Sequence, residues 1–450
     1  MDIKEVTKAV KEKGIDLFFA QFANIYGVAN AKLVPATHLE DMVTTGACFA
    51  GFAAVGFGVG PDAPDLAAIP DLDTLTVLPW KKNIARFACN VYMEDSKGDL
   101  KLSPYCSRSI LQRVTTKAKE RGYIFKIGIE PEFFLVKKTP GGIAPADDWD
   151  TLTKPCYDLK GLTRPIDFLE NLINGMNEMG WGVLAADHED ANCQYETNFQ
   201  YGDCVTLCDR YTFFKYMVST LAQQAGMVAT FMPKPFANRT GNGAHFHMSL
   251  WDAETNKNLF LDEKDPRGMG LSQLAYHFIG GLLKHAKAYT AFSAPTVNSY
   301  KRLVTSGAMG GATWAPVYIS YGGNNRTQML RIPGPGRIED RTIDSSCNPY
   351  LAAAAILAAG LDGMNNKLDP GVRNDTNMYQ RTSKELEEVG IELLPTTLKE
   401  AVEELAKDKV ILDAIGPEFC DYYINFKKQE WNEYHNNISQ WELDKYLMLY

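Results

Sequence analysis

The sequence predicts an α+β protein with a small, strand-rich N-terminal domain over residues 1–104 and a larger mixed domain over residues 105–450. Two observations predict this class. The first hundred residues contain short apolar runs separated by turn residues, whereas helical and strand-like patterns alternate after that point. With 450 residues, a hydrophobic fraction of 45% and no low-complexity linker, the chain has enough apolar surface for a large core.

The N-terminal domain is expected to contain two strands joined by a hairpin and two further strands. The turn of the hairpin is Asn24-Ile-Tyr-Gly27, which is flanked by apolar runs. The glycine-rich and weakly polar stretch 46–60 predicts a loop. The predicted strands cover residues 15–23, 28–34, 75–79 and 86–92.

The second domain is expected to begin with an amphipathic helix and then to alternate between strands and helices. The Ala-rich run 350–361 is too short for a membrane span and predicts a buried helix. The tail from residue 398 to 449 is expected to be mostly helical. The other predicted helices cover residues 108–121, 166–179, 211–224 and 271–291, and the predicted strands cover residues 124–135, 182–186, 227–232 and 243–251.

Composition argues against several classes of partner. The formal net charge is −9, from 55 acidic and 46 basic residues, whereas proteins that bind nucleic acids usually present a basic face. The sequence contains no run of about 18 apolar residues, which a membrane span would need. Its charged N-terminal segment does not resemble an export signal. Nine scattered cysteines are typical of reduced thiols. We therefore expect a cytoplasmic protein that binds neither nucleic acid nor membrane.

The most distinctive local motif is Gly128-Ile-Glu-Pro-Glu-Phe-Phe-Leu135. Residues two apart in a strand face the same side, so Glu130 and Glu132 would present two carboxylates on one face of an apolar strand. Burying two like charges is costly unless a cation neutralises them. The motif therefore indicates either a metal site or an ordinary solvated strand edge.

Two further segments are rich in possible metal ligands. In Gly243-Ala-His-Phe-His-Met-Ser249, His245 and His247 share one face of a predicted strand; a pair of hydrogen-bonded core histidines is the alternative. The stretch from residue 187 to 196 carries several acidic groups, including Glu189 and Glu196, and by itself would also suit a polar loop.

Arginines are concentrated near residues 325–341. Guanidinium groups bind phosphates and carboxylates in a bidentate manner, although surface arginines are common. Carboxylate-dominated sites favour Mg²⁺ or Mn²⁺, and such cations beside arginines suit phosphoryl transfer from ATP. The members of this cluster are Arg326, Arg331, Arg337, Glu339 and Arg341.

These clusters, in this order, resemble the glutamine synthetase family nearly from end to end. The resemblance implies a β-grasp-like N-terminal domain and a catalytic domain with a curved antiparallel sheet flanked by helices. It also implies an ATP-dependent ligase that joins glutamate to a small amine through γ-glutamyl phosphate. The matching motifs are Tyr26-Gly-Val-Ala-Asn-Ala-Lys-Leu-Val-Pro35, the Glu130 strand, the His245 strand, Asn298-Ser-Tyr-Lys-Arg302, Arg331-Ile-Pro333, Asn348-Pro-Tyr-Leu351 and Ile438-Ser-Gln-Trp-Glu-Leu-Asp-Lys-Tyr446.

The resemblance implies a role for each matching position. The implied ligands of one metal ion are Glu132, Glu189 and Glu196, and those of a second are Glu130, His245 and Glu339. The implied glutamate-site residues are Glu132, Gly241, His245, Arg302 and Arg341. The implied ATP-site residues are His247, Ser249, Arg326, Arg331 and Arg337. The implied catalytic residues are Arg326, Arg302, Arg341 and Asp65.

The sequence departs from the family pattern where ammonium is bound. Ala50 stands where family members carry an aspartate, and residues 303–314 contain no acid where they carry a flap glutamate. This combination resembles the γ-glutamylmethylamide synthetase branch, whose amine is methylamine or another alkylamine. Asp65 is then the best candidate for deprotonating the amine, and Trp314 is a candidate for an apolar pocket. An ordinary glutamine synthetase that uses ammonia, and an inactive member that acts as a scaffold, remain alternatives.

Family members form stacked rings, with each active site between the N-terminal domain of one subunit and the catalytic domain of the next. The resemblance therefore implies a homo-oligomer, expected to be a dodecamer of two hexameric rings. Ala50 and Asp65 would then act in the site of the neighbouring subunit.

Overall fold

The computed structural model describes residues 1–305, 310–311 and 313–450, and the strands of these residues form a seven-stranded and a ten-stranded sheet. The smaller sheet lies in the N-terminal part of the chain and the larger one in the remainder. Helices pack against both sheets. This architecture confirms the predicted α+β class.

The N-terminal sheet has the strand order β2-β1-β6-β4-β3, with β5 and β7 paired to β6. Helix α1 contributes Val6 and Val10 to the same core as Phe18 and Phe87 on the sheet. The elements are α1 (Ile3–Lys13), β1 (Leu17–Ala23), β2 (Ala29–Pro35), α2 (Leu39–Thr44), β3 (Ala47–Phe49), β4 (Leu66–Pro70), β5 (Thr76–Leu78), β6 (Lys81–Glu94) and β7 (Leu100–Leu102).

The predicted hairpin is confirmed as β1 and β2, and the two later strands as β5 and β6. The prediction of a loop over residues 46–60 is wrong at its start, because Ala47–Phe49 forms β3 and pairs with β4. Ala47 and Phe49 point into the core, so tertiary pairing makes a strand from a segment too short to show a pattern.

The larger sheet has the order β10-β11-β8-β14-β17-β16-β15, and its long central strand β8 also pairs with β9, β12 and β13. The predicted strands of this domain are confirmed. Strand β11 begins within the segment 187–196, for which a polar loop was the alternative. The strands are β8 (Tyr123–Thr139), β9 (Gly142–Pro145), β10 (Val183–His188), β11 (Gln194–Phe199), β12 (Gly202–Asp203), β13 (Val228–Thr230), β14 (Ala244–Asp252), β15 (Tyr321–Gly322), β16 (Leu330–Arg331) and β17 (Ile338–Asp340).

The predicted helices, including the buried Ala-rich one, are confirmed. The helices are α3 (Ser107–Glu120), α4 (Leu159–Thr163), α5 (Ile166–Glu178), α6 (Cys204–Gln224), α7 (Gln273–Ser293), α8 (Ser299–Arg302), α9 (Pro349–Asn365), α10 (Ser383–Glu388), α11 (Leu398–Leu405), α12 (Lys409–Ile415), α13 (Pro417–His435) and α14 (Gln440–Tyr446). Helices α7 and α9 approach so closely that a Cβ on Gly281 would lie 2.1 Å from the carbonyl oxygen of Ala359. No helix within the described residues is both long and apolar enough to cross a membrane.

A buried arginine links the N-terminal sheet to the rest of the chain. Arg108 on α3 donates to both carboxylate oxygens of Asp209 at 2.8 and 2.9 Å, and to Asp71 and Asn90 of the N-terminal part at 2.8 and 3.1 Å. Tyr350 donates a further hydrogen bond of 2.7 Å to Asp209. The division of the chain at residues 104 and 105 remains a prediction.

Candidate active site

The register of the large sheet brings together acids and histidines that are distant in sequence. Strand β8 lies between β11 and β14, and β14 lies between β8 and β17. Because paired residues project from the same face of an antiparallel sheet, each pair shares one surface. The directly opposed pairs are Glu130 with His245, His247 with Glu339, and Glu132 with Glu196.

This surface forms one wall of a cavity of about 590 Å³. Most of the predicted site residues line it, although they come from four strands, one short helix and several loops. Glu339 is fully buried beside it. The predicted residues in the cavity wall are Glu130, Glu132, Glu189, Glu196, Gly241, His245, His247, Arg302, Arg326, Arg331, Arg337 and Arg341.

Two groups of side chains in this wall have the spacing of a metal site. In each group the possible ligand atoms lie within 4.8 Å of one another. His245 Nδ1 also lies 3.7 Å from carboxylate oxygens of both Glu130 and Glu339. The groups are Glu130, His247 and Glu339, and Glu130, Glu196 and His245. All members except His247, which was assigned to the ATP site, are predicted metal ligands, and the division of the ligands between two ions remains a prediction.

The carboxylates of the cavity repel one another. Burial, together with the charges of Glu132 and Asp187, raises the pKa of Glu189 to about 8. Burial and the neighbouring acids also raise the pKa of Glu196 well above its ordinary value. Glu189 and Glu196 therefore become more stable as anions when positive charge is added beside them.

Positive charge from the chain itself reaches only part of the cluster. Burial would raise the pKa of Glu339, but Arg341, the two histidines and Arg331 lower it to about 2. Arg331 and Arg341 each donate to Glu339 at 2.6 Å. These arginines neutralise one end of the cluster, whereas Glu132, Glu189 and Glu196 have no basic ion-pair partner among the residues that the structure describes.

The residues present fit hard divalent cations. Neither buried ring nitrogen of His247 makes a hydrogen bond with a described residue, although its Nε2 lies 2.9 Å from Glu130 Oε1. Several carboxylate oxygens and one or two imidazoles form a donor set that suits Mg²⁺ or Mn²⁺ rather than a soft metal. His247 Nδ1, which has no partner among the described residues, and the raised pKa values of Glu189 and Glu196 both fit a bound cation.

The part of the cavity beside Gly243 and Arg302 suits an α-amino acid. Arg302 is buried, and its guanidinium donates to the backbone carbonyls of Thr342 and Arg341 at 3.2 and 3.0 Å. A Cβ on Gly243 would lie 3.1 Å from both Arg302 Nη2 and Glu132 Oε1, and only 2.5 Å from His245 Nε2. Because residue 243 is glycine, a concave space remains between the Arg302 guanidinium and the Glu132 carboxylate. A zwitterionic amino acid needs opposite charges placed in this way.

Two arginines remain available for phosphate. Arg326 and Arg337 are exposed at the rim of the cavity, and neither forms an ion pair within the described chain. Arginines without a protein partner bind phosphate oxygens through paired N–H groups.

A second cavity of about 250 Å³ adjoins the first at Arg337. Ser249 lines it and accepts a hydrogen bond of 2.9 Å from Trp251 Nε1. The ring of Trp251 stacks with that of Tyr201, with centroids 6.3 Å apart at 29°. The sequence analysis did not single out either aromatic residue, although Trp251 lies two positions after Ser249 and so faces the same side of β14.

The loop from residue 188 to 193 is fixed by a buried carboxylate that the sequence analysis also missed. Asp150 lies 2.7 Å from His188 Nε2, accepts from the Cys193 amide at 2.6 Å, and accepts from Asn192 at 3.0 Å. The His188 interaction and these hydrogen bonds outweigh burial and lower the pKa of Asp150 to about 2. Glu189 lies inside this fixed loop.

The amine-related residues are only partly brought together. Asp65 and Ala50 are exposed in the N-terminal part and do not line the cavity of their own chain. Residues 306–309 and 312 of the predicted flap lie outside the described residues. Trp314 does line the cavity, together with Cys156, Tyr157, Asp187 and Asp190, which the sequence analysis had given no role.

A buried carboxylate cluster on an antiparallel sheet, with arginines at its rim, defines a site for cation-assisted handling of phosphates and carboxylates. The chain belongs to the glutamine synthetase family, because the description of the glutamine synthetase catalytic domain matches residues 104–446. The family resemblance seen in the sequence is therefore confirmed.

Relatives and solved structures cover almost the whole chain. It is 47% identical over 448 residues to the glutamate–methylamine ligase of Methyloversatilis universalis, covering 99% of both chains. It is 42% identical over 438 residues to the glutamine synthetase of Rhizobium meliloti, covering 97% of this chain and 98% of the other. A solved structure described as a GmaS/ADP complex in conformation 1 has a TM-score of 0.91 and 44% identity, covering 98% of this chain and 99% of the other.

Proposed function

We propose that the protein joins methylamine to the side-chain carboxylate of glutamate, with ATP as the second substrate. The observation that carries this proposal is the cavity in which a carboxylate cluster, a buried arginine and rim arginines converge. The 47% identity to a glutamate–methylamine ligase over 99% of the chain favours methylamine. The absence of acids at position 50 and over residues 303–314 favours it as well.

The chemistry requires an activated carboxylate. A carboxylate cannot expel oxide, so phosphoryl transfer from ATP first gives γ-glutamyl phosphate, which the amine then attacks with phosphate as the leaving group. Arg302 and Arg341 would orient the glutamate carboxylates, with the Gly241 backbone and Glu132 beside them. Arg326, Arg331 and Arg337 would hold the phosphates and stabilise the charge that develops during transfer.

A divalent cation, Mg²⁺ or Mn²⁺, would neutralise phosphate charge when bound at this cluster. The residues that would hold it are Glu130, Glu132, Glu189, Glu196, His245 and Glu339, with His247 close to the phosphates. Ser249 and the Tyr201–Trp251 stack would receive the nucleotide base, because an aromatic face beside a hydroxyl suits a flat heterocycle.

We propose that the active protein is a homo-oligomer, expected to be a dodecamer of two hexameric rings. Exposed apolar side chains support association. Trp441 and Leu447 near the end of the chain are 63% and 69% exposed, and Phe52 beside Ala50 is 64% exposed. Large exposed apolar groups of this kind mark contact surfaces. Asp65 would then reach the cavity of a neighbouring subunit and help to deprotonate the amine.

The test measures ADP formation with ATP, Mg²⁺ and glutamate in the presence of methylamine, ethylamine, ammonium or putrescine at matched concentrations. We expect the highest kcat/KM with methylamine and no amine-dependent turnover when glutamate is omitted. A clear preference for ammonium would identify an ordinary glutamine synthetase. Absence of turnover with every amine would favour an inactive scaffold.

A second experiment tests the cation site. Glu132→Ala is expected to abolish turnover, whereas Glu254→Ala, which removes an exposed carboxylate outside the cavity, serves as the matched control. Near-normal turnover of Glu132→Ala would refute the assignment.

A further inference from the structure

One carboxylate in the cavity wall has no role in the chemistry described above. Asp190 directly follows the proposed metal ligand Glu189, lines the same cavity and contacts the segment that carries Trp314. The indole Nε1 of Trp314 donates to Asp190 Oδ2 at 3.1 Å. Gly310 lies over the same group, since a Cβ built on it would be 3.0 Å from Asp190 Oδ2. Asp190 and Trp314 are therefore joined as one unit.

The other acids of the cavity are committed elsewhere. The proposed cation sites use Glu130, Glu132, Glu189 and Glu196. The negative charge of Glu130 acts on Asp187 and, together with burial, raises the pKa of its carboxyl group. Lys154 is the basic residue whose field reaches Asp190, but it is exposed and forms no ion pair in the described part of the chain. The Asp190 carboxylate thus lines the cavity without a cationic ion-pair partner among the described residues.

The backbone holds Trp314 in an unusual conformation. Its φ of 54° lies in the left-handed region, which bulky residues rarely adopt. The next residue is anchored, because Tyr379 donates a hydrogen bond of 3.0 Å to the Ala315 carbonyl. The side chain of Trp314 is 41% exposed and borders the cavity, so an apolar ring stands directly beside a carboxylate.

We propose that Asp190 and Trp314 form the subsite that selects the amine. This inference rests on the proposed function and names the residues that supply its specificity. The carboxylate holds the positive charge of an alkylammonium ion, and the indole face contacts the alkyl group and the cation. Asp190 thereby replaces the acids that the sequence lacks at position 50 and over residues 303–314.

The experiment compares a cationic with an uncharged nucleophile. Methylamine is a cation at neutral pH, whereas hydroxylamine is largely uncharged and does not need a counter-charge. Asp190→Asn keeps the size of the side chain and an oxygen acceptor for Trp314. We expect it to lower kcat/KM for methylamine by about ten- to a hundred-fold, as for loss of a charged hydrogen bond, and to lower kcat/KM for hydroxylamine much less.

Two further variants separate charge from position. Asp187→Asn removes a carboxylate from the same wall without touching Trp314, so it should affect methylamine and hydroxylamine equally. Trp314→Phe keeps an aromatic ring but removes the N–H donor, and it should raise KM for methylamine more than KM for hydroxylamine. This variant also provides a decisive result if Asp190→Asn does not fold.

Equal losses with both nucleophiles in Asp190→Asn and Trp314→Phe would overturn the subsite, because the pair would then act only on the structure of the loop. If the wild-type protein prefers ammonium, the methylamine assignment fails, and the same comparison of ammonium with hydroxylamine decides the role of Asp190. A wild-type protein that forms no ADP with glutamate and any amine would refute the proposed function and this subsite with it.

Discussion

Binding of Mg²⁺ to the metal-free protein should release protons. Glu189 is a carboxylate whose pKa is raised from 4.5 to about 8 by burial, Glu132 and Asp187, and Glu196 is raised well above its ordinary value by burial and the neighbouring acids. Glu189 is therefore largely protonated at neutral pH in the absence of a cation, and burial shifts Glu196 in the same direction. A divalent cation favours their ionised forms, so it must displace these protons on binding.

The number of protons follows from these pKa values. With a pKa of about 8, Glu189 is about nine-tenths protonated at pH 7. We therefore expect about one proton to be released from Glu189 per subunit at pH 7, and the raised pKa of Glu196 acts in the same direction. Because protons leave when Mg²⁺ binds, the affinity for Mg²⁺ should rise with pH. It should level off above about pH 8, where Glu189 is already ionised.

Isothermal titration calorimetry of Mg²⁺ into the metal-free protein measures this number. Titrations in two buffers of different ionisation enthalpy give the proton count from the difference in observed heat. Glu189→Gln should lower the count by about one, whereas the control Glu254→Gln, at an exposed position outside the cavity, should leave it unchanged. A count of zero for the wild-type protein would refute the argument that buried like charges hold these protons.

Three other perturbations test packing, pH dependence and nucleotide binding. Arg108→Met should reduce the free energy of unfolding by about 3–5 kcal/mol, because it leaves the Asp209 carboxylate buried without its ion-pair partner. Urea unfolding measures this loss, which should be small for the exposed control Arg373→Met. Burial alone would lower the pKa of His285, but hydrogen bonds to two carboxylates raise it. Its stabilising contribution is full below the ordinary histidine pKa and is lost as pH rises through the raised pKa, so His285→Gln should lower Tm more at about pH 6 than at about pH 9. Trp251→Ala removes a ring of the second cavity and should raise KM for ATP about ten-fold with little change in KM for glutamate, a split that a global folding defect would not give.

The sequence predicted the fold well where elements are long. The helical periods of residues 271–291 and the apolar strand at 124–135 reappear as α7 and β8 with small shifts at their ends. Short elements such as β3 and β4 escaped prediction because they have too few residues to show a period, and their strand conformation depends on pairing with each other and with β6. Helix α6 begins seven residues before its predicted start, at a cap formed by Asp203.

The proposed cation ligands were identifiable because their spacing is a local property. Glu130 and Glu132, like His245 and His247, lie two apart on strands, and alternation alone puts each pair on one face. The two faces meet because of the register between β8 and β14. The sequence pattern does not reveal this register. The resemblance to a known family supplied that connection, and the structure accounts for it.

The amine subsite marks the limit of both approaches. The sequence showed that two acids of the family pattern are missing, but a missing group does not indicate which residue replaces it. Asp190 looked like one more acid in a polar segment, and its relation to Trp314 spans 124 positions along the chain. Only the fold reveals that one indole N–H and one carboxylate oxygen meet at the cavity wall. In the proposed subsite, specificity for a small alkylamine depends on a long-range contact, which has to be judged from geometry rather than from motifs.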